Sequence, residues 1–343
     1  MPDTGKPVKE ERSGTKVTLR EVAEAVGVSV STASRVLSGA PGISSEVRYQ
    51  VQNAAQALNY GGTSVAKAQV SIITDLNTAL GGASEFIQAV QRGIEKRARD
   101  MGVNLTITLV GPAGLPATVR HEDASGCLLL SMQSEELISE LIGRDVPAVI
   151  VNGRENLMRL DALAPANRTG GYLAARHVLD LGHRNILVLS HSGRPTIRDR
   201  LLGARRAMRE AGIEDDLAVM ELEDMRTDLA YRDLRARLDE KGGADFTAVV
   251  CCNDSAAFGA MAALAEYGLN VPEDISVIGF DDVPTAALNS VPLTTISVDA
   301  EDLGARGLIR LMERMRAPGS LVTYTETAVR LVPRASTASV PQG

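Results

Sequence analysis

Residues Val17 to Leu37, VTLREVAEAVGVSVSTASRVL, constrain the fold more than any other stretch, because they write two short helices separated by one turn. Thr18 is placed to cap the first helix, and Glu21 stands three residues on, at the spacing of a capping box. Val22, Ala23 and Val26 then recur at helical spacing and give that helix one apolar face. Gly27 falls where a helix closes on a left-handed residue. Val28 is the apolar residue of the turn, and Ser29 offers its hydroxyl as cap of the second helix. That helix carries Val30, Ser31, Thr32, Ser34 and Arg35, with Ala33, Val36 and Leu37 as its packing set. The pattern is that of a helix-turn-helix, whose second helix enters the DNA major groove.

The stretch also resembles the DNA-binding headpiece of the lactose/galactose-repressor (LacI/GalR) family of bacterial regulators. The residues that carry the resemblance are Val17-Thr18-Leu19, Glu21-Val22-Ala23, Gly27-Val28-Ser29 and Thr32 through Leu37. Ile43-Ser44 through Leu58-Asn59-Tyr60 resembles the third helix of that headpiece, with Val47, Val51, Ala54, Ala55 and Leu58 expected inward. The resemblance implies that Val30, Ser31 and Arg35 touch bases. Arg35 can fork onto guanine O6 and N7, Ser31 is permissive, and Val30 offers only apolar contact, for instance to a thymine methyl. A phosphate clamp is the other reading of Arg35, because phosphate contacts outnumber base contacts. Thr18, Ser29, Thr32 and Ser34 are read as phosphate ligands or caps.

The chain has 343 residues, of which 44% are hydrophobic and 23% charged, enough for one large or two medium cores beside a small module. Aromatic residues make up only 3% and Trp is absent, so these cores must be built from Ala, Val, Leu and Ile. No apolar run approaches the length of a membrane span, and the N-terminus MPDTGKPVKEERSGTK has no signal-peptide core. A cytoplasmic location is expected. Cys127, Cys251 and Cys252 all lie in apolar runs that read as buried strands, which fits free thiols in a reducing compartment. The net charge of −7 alone argues against a nucleic-acid binder, but it is unevenly placed. Residues 1–69 hold 8 Lys/Arg against 6 Asp/Glu, and the remainder holds 28 against 37. Only the docked face needs positive potential. With so weak a charge on the headpiece, affinity is expected from a homodimer on a palindromic double-stranded operator.

The expected organisation is a disordered arm over 1–15, a three-helix headpiece over 16–60, a linker or hinge over 61–69 and a large domain over 70–335, followed by a disordered tail over 336–343. From Val70 the pattern alternates strands with helices, the sign of a parallel sheet covered on both faces. Strands are expected at Val70–Thr74, Val103–Val110, Cys127–Ser131, Ala148–Val151, Asn185–Ser190, Ala218–Glu221, Ala248–Cys252, Ile275–Phe280 and Val322–Ala328. Helices are expected at Glu85–Met101, Ser134–Ile142, Thr169–Leu181, Arg198–Ala211, Leu229–Lys241, Ser255–Tyr267 and Ala300–Met315. Two such series predict an α/β fold of two doubly wound subdomains, with a ligand cleft at the strand C-terminal ends. The fragments L181-G182-H183-R184, C252-N253-D254, P272 through D282 and P292-L293-T294-T295-I296 extend the resemblance to the family's effector domain. That domain is similar to periplasmic sugar-binding proteins, and in it the chain crosses three times between subdomains. The crossings are expected near Pro165–Asn167, Pro292–Thr294 and Tyr324. Subdomain one is then about 70–165 and 295–323, and subdomain two about 166–292 and 324–335.

The resemblance implies an effector site of Asp75, Phe86, Asn152, Arg200, Asn253 and Asp281. These types suit a small polar ligand such as a polyol: Arg and Asp fork adjacent hydroxyls, an Asn amide donates and accepts, and an aromatic covers an apolar ring face. Turn or capping roles stay open for Asp281 and Asp282, as does a surface ion pair of Arg200 with Asp199 or Glu223. Three departures stand out. The family's linker ends on a leucine that wedges into the minor groove. Here Val65-Ala66-Lys67-Ala68-Gln69 keeps the outline, with Lys67 counted among the DNA contacts, but Gln69 falls at the leucine and Gly61-Gly62 replace the proline region. A weaker DNA bend and a partly ordered linker are therefore expected. Gly111–Ser125 is too rich in Pro and Gly for the helix expected there. Asn152 stands where an aspartate is common, and Ala166 replaces another. His121, His177, His183 and His191 lack metal-ligand spacing, with His183 read as structural, and no catalytic motif is present. The expectation is a transcriptional regulator, most simply a repressor modulated by an effector, with no metal, cofactor or enzymatic activity. The alternatives are an effector-independent regulator answering to a protein partner, and a solute-binding protein with a vestigial headpiece.

Overall fold

The computed structural model describes residues 17–37, 68–75, 85–110, 125–132, 134–213 and 218–340, together with Ile43, Ser44, Val47, Arg48, Gln50, Val51, Ala54, Ala55, Leu58 and Tyr60. The expected arm, most of the linker including Lys67, and most of the segment Gly111–Ser125 lie outside the described residues. The chain divides into two compact units at Lys67/Ala68.

In the first unit, helix α1 spans Leu19–Val26 and α2 spans Val30–Leu37. Both arms of the capping box form: the Glu21 amide donates to Thr18 Oγ1 at 3.4 Å, and the Thr18 amide donates to Glu21 Oε2 at 2.6 Å. Gly27 ends α1 at φ 71°, a left-handed conformation that costs glycine nothing. Ser29 Oγ caps α2 by accepting from the Thr32 amide at 3.0 Å. Val22, Ala23, Ala33 and Val36 close a core with Val51 and Ala55, while Val47, Ala54 and Leu58 pack partly buried against it. Leu37, expected inward, is exposed. Ala33 and Val36 hold the inward stripe, and one residue further the side chain has turned about 100° around the helix.

The second unit carries a six-stranded parallel sheet built from β1 (Gln69–Asp75), β2 (Asn104–Val110), β3 (Gly126–Leu130), β4 (Ala148–Val151), β5 (Asp161–Pro165) and β11 (Tyr324–Thr327), in the order β11-β5-β4-β3-β1-β2. A second parallel sheet has the order β7-β6-β8-β9, from β6 (Ile186–Ser190), β7 (Ala218–Glu221), β8 (Ala248–Cys251) and β9 (Ser276–Ile278). Strands β10 (Thr295–Val298) and β12 (Val329–Val332) pair antiparallel. Bridges from Ile278 to Thr294 and from Asp281 to Ser297 join β10 to the segment that continues from β9. The central strands of both parallel sheets, among them β3, β4, β6 and β8, read as runs of Val, Ile, Leu and Ala because they are buried on both faces, whereas the edge strands β2, β7 and β11 are partly exposed. The helices that matter below are α3 (Glu85–Met101), α4 (Glu135–Gly143), α5 (Asn167–Asp180), α6 (Pro195–Glu210), α7 (Thr227–Lys241), α8 (Asp254–Glu266), α9 (Pro284–Leu288) and α10 (Ala300–Arg316).

Several expectations are corrected. Gln69 is not a hinge residue: it opens β1, in register with Asn104 of β2. The second and third crossings fall later than expected, after β10 and between β11 and β12. The physical reason is pairing, because β10 bridges to the chain beyond β9 while β11 pairs with β5 in the first sheet. The tail from Ser336 to Val340 is not disordered. Ser336 Oγ accepts from the Thr294 amide at 2.8 Å and donates to Val277 O at 2.6 Å, His183 Nε2 lies 3.0 Å from Ala338 O, and the Val340 amide donates to Leu181 O at 3.1 Å. Strands β5, β10 and β12 and helix α9 were not foreseen.

Candidate DNA interface and effector cleft

The outer face of α2 follows from its inner one. With Ala33 and Val36 turned into the core, Val30, Ser31, Ser34 and Arg35 are left exposed along one edge of the helix. Val30 is 45% exposed, which leaves its methyl groups available for apolar contact. Thr18 and Ser29 act as caps, and the Ser29 hydroxyl lies 2.8 Å from that of Thr32. One edge of α2 thus offers an apolar contact, two short hydroxyls and a guanidinium, the inventory of a groove-reading helix.

The cleft lies in the second unit, where the two parallel sheets turn their strand ends toward the crossings. Helices α5 and α6 approach so closely that a Cβ on Gly171 would stand 1.9 Å from the backbone oxygen of Arg200. That contact sinks the Arg200 side chain into the interior. Its Nε donates to Asn167 Oδ1 at 2.9 Å, its Nη1 donates to Cys252 O at 2.5 Å, and its guanidinium lies 3.5 Å from the centre of the Phe280 ring. Nη2 stands 3.3 Å from Asp281 Oδ1, an ion pair whose angle does not make a hydrogen bond. Asp281 and Asp282 follow one another in left-handed conformations, φ 116° and 59°, strain of order 1–3 kcal/mol per residue that only the surrounding structure sustains. Burial pushes the Asp281 carboxyl up to about 6 although Arg200 pulls the other way. Burial likewise lifts the neighbouring Asp254 well above the usual carboxylate range, and the Asp281 charge adds to it.

Next to this cluster is a cavity of 650 Å³ whose wall includes Phe86 of α3, Asp281, Val283 and Val298. At its rim Glu85 of α3 accepts from the amide of Thr285 on α9 at 3.3 Å and from the Thr285 hydroxyl, a contact between the two subdomains. On the facing sheet, Asn152 follows β4 at φ 60°. Its Nδ2 donates to Ser131 Oγ at 2.9 Å, while its buried Oδ1 has no hydrogen-bond partner among the described residues.

Two family models match this chain, bacterial regulatory proteins of the lacI family over residues 18–61 and the periplasmic binding protein-like domain over residues 175–337. The chain is 28% identical over 311 residues to the ribose operon repressor of Haemophilus influenzae, covering 88% of this chain and 92% of that protein. It is 29% identical over 318 residues to the HTH-type transcriptional repressor PurR of Vibrio parahaemolyticus, covering 87% and 92%. Among solved structures, the lac repressor dimer bound to operator and the anti-inducer ONPF matches with a TM-score of 0.68 at 27% identity, over 94% of this chain and all of that one. A LacI family transcriptional regulator from Enterococcus faecium with bound ribose matches with a TM-score of 0.69 at 25% identity, over 79% and 99%. The chain carries a lacI-family DNA-binding region and a periplasmic binding protein-like domain. It is a DNA-binding transcriptional regulator with a periplasmic-binding-protein-like effector domain.

The residues expected at the cleft divide. Arg200 and Asp281 meet, Asn253 follows the carbonyl that Arg200 holds, and Phe86 shares the 650 Å³ cavity with Asp281. Asp75, at the end of β1, and Asn152 do not belong to that cavity wall. The surface-pair alternative for Arg200 is corrected: Asp199 pairs instead with Arg168 and Arg154. Asn253 Oδ1 is engaged as the N-cap of α8, accepting from the Ala256 amide at 2.8 Å. Asp282 Oδ1, by contrast, accepts from Arg334 Nη2 at 2.6 Å rather than capping a helix, and its left-handed φ of 59° fits the turn alternative. Sequence reasoning missed Asn167, which orients Arg200 and donates through Nδ2 to Pro165 O at 2.9 Å. A signal was present in the aspartate-to-alanine change at residue 166, which left Asn167 as the polar residue of that turn. Among the described residues no three His, Cys, Asp or Glu are grouped as a metal site, and no helix is long and apolar enough to cross a membrane.

Proposed function

We propose that the protein is a cytoplasmic repressor that binds a palindromic operator as a homodimer and responds to a small polar effector held between its two subdomains. The exposed edge of α2, set on a fully buried Ala33–Val36 stripe, is the observation that carries the reading. It leaves Val30, Ser31, Ser34 and Arg35 in position for bases and backbone at once. Asp281 Oδ1, on the wall of the 650 Å³ cavity, and Asn152 Oδ1, on the facing sheet, are buried acceptors without a hydrogen-bond partner among the described residues, the chemistry that receives hydroxyls. The relatives with bound ribose and with ONPF support a ligand of that size. Effector binding that closes or opens the subdomains would then bias operator affinity through the linker.

Selection of genomic DNA fragments by the full chain, followed by titration of Arg35→Ala, tests the operator half. On the selected site the substitution costs about 1–3 kcal/mol and relaxes preference at one base pair per half-site. Equal loss on selected and random DNA would make Arg35 a phosphate contact. One observation favours an effector-independent regulator as second reading: Arg200 is already held by Asn167, Cys252 and Phe280. A metabolite panel that never raises the melting temperature would select that reading.

A further inference from the structure

A second cavity, of 410 Å³, lies on a part of the hinge that the effector reading does not use, and it is walled by both subdomains. Arg154, after β4, and Tyr324 and Glu326, on β11, come from the first. Arg168 and Tyr172 on α5, with Arg206 on α6, come from the second. At the back of the cavity sits Asp199, only 7% exposed. Its Oδ1 accepts from Arg168 Nη2 at 3.0 Å, and its Oδ2 lies 3.5 Å from Arg154 Nη1. Two guanidiniums from opposite subdomains therefore converge on one buried carboxylate. A third, that of Arg206, lies 5.1 Å from the Tyr172 ring centre. One carboxylate cannot satisfy the ten N–H donors of two guanidiniums, and the Arg168 and Arg154 side chains stay 59% and 38% exposed.

We propose that this cavity is a second small-molecule site, distinct from the effector cleft, which takes a phosphate ester between Arg154 and Arg168 and so ties the two subdomains together. The forked donors match the oxygens of a phosphate, and a dianion offsets the repulsion between the two arginines. Glu326 closes the other end of the cavity with an acceptor, so the ester carries a hydroxyl rather than a second negative group. Tyr172 and Tyr324 supply flanking surface for its carbon skeleton. An anion bound across the hinge favours whichever subdomain angle brings the two arginines together, and by linkage changes operator affinity in the same proportion.

The test uses the full chain at constant ionic strength, titrated calorimetrically with glycerol 3-phosphate, inorganic phosphate, and glycerol as the neutral control. Saturable binding of glycerol 3-phosphate is expected, tighter than inorganic phosphate, with none for glycerol. Arg168→Ala and Arg154→Ala each lower the affinity at least tenfold, while Arg176→Ala, which removes a surface pair with Asp180 on the same helix, leaves it unchanged. Operator affinity shifts with the ester in the wild type and not in Arg168→Ala. Equal binding of free phosphate and ester, or unchanged binding in both arginine variants, overturns the proposal. So does loss of binding in Arg200→Lys with none in Arg168→Ala, which would place the anion in the effector cleft.

Discussion

Two buried carboxylates in the same unit are treated in opposite ways. Asp161, at the start of β5, is enclosed and fully satisfied: Oδ1 accepts from Arg310 Nη2 at 2.9 Å and from the Thr323 amide at 2.8 Å, and Oδ2 accepts from Arg314 Nε at 2.8 Å. Burial pushes its carboxyl up, but the hydrogen bonds from Arg314, Arg310 and Thr323 outweigh burial and hold it below the usual range. Asp281 is equally enclosed, yet it has one arginine at 3.3 Å, no aligned hydrogen bond on Oδ1, a left-handed backbone and a carboxyl raised to about 6. The first carboxylate fixes a strand, a helix and the segment leading into β11 to each other. The second is held in place at a cost, which supports the proposed role of Asp281 in effector binding.

Removing each carboxylate sharpens the contrast. The largest effect is expected at the clamp: Asp161→Ala removes the buried carboxylate shared by Arg310 and Arg314, whose side chains are 21% and 11% exposed, leaves them, among the described residues, only Glu313 and the carbonyls of Pro318, Ser320 and Leu321, and should destabilise the second unit by about 3–5 kcal/mol in urea titrations. A loss under about 1 kcal/mol would mean that the arginines find other partners, and the distinction between the two sites would collapse.

The next effect concerns pH. The folded pKa of Asp281, about 6, lies above the value of 3.8 for an unperturbed aspartate, so the folded state holds this proton more tightly than the unfolded one. Its stabilising contribution is complete below about pH 4 and is lost as pH rises through 6, a change of roughly 3 kcal/mol. Asp281→Asn lacks that titration. The stability of wild type minus variant should therefore fall between pH 4 and pH 7, and Asp254, raised in part by the Asp281 charge, adds to the fall. Asp161, with its lowered carboxyl, is expected to show the reverse slope, and below its ordinary value of 3.8 rather than between pH 4 and pH 7: its contribution is complete above that value and is lost as pH falls further. A flat difference for Asp281 would show that its burial is better compensated than the geometry indicates.

The same contrast explains what was legible in the sequence. The headpiece could be read almost residue by residue because its caps, glycine and apolar spacing are local signals, and the long helices α3, α6, α7 and α10 could be read from their period. Strand β5 could not: it is Asp161-Ala-Leu-Ala-Pro165, opening on a charge and closing on a proline, and it forms because the Asp161 clamp and β11 hold it. The crossings shifted for a similar reason, since β10, β11 and β12 are four-residue strands whose partners are distant in sequence. At the cleft, the family motifs carried Arg200 and Asp281. They could not show that Asn253 would be engaged as a cap, or that Asn167 would orient the arginine.

The smallest expected effect is at Asn152, and it separates the two classes of buried polar group most cleanly. Four contributions nearly cancel in Asn152→Gly. The orphaned Oδ1 disappears, which is worth about 1–3 kcal/mol if it is dry, and the left-handed φ of 60° becomes free of strain. Against these stand the lost bond to Ser131 Oγ, about 1 kcal/mol, and the greater chain entropy of glycine, roughly 0.5–1 kcal/mol. The variant should therefore lie within about 1 kcal/mol of wild type in the urea midpoint, on either side of it, although the residue is buried to the same degree as Asp281. Its effector-induced rise in melting temperature should be reduced. A loss of 2 kcal/mol or more would place Asn152 with Asp161 among the structural groups, and an unchanged effector response would remove it from the cleft.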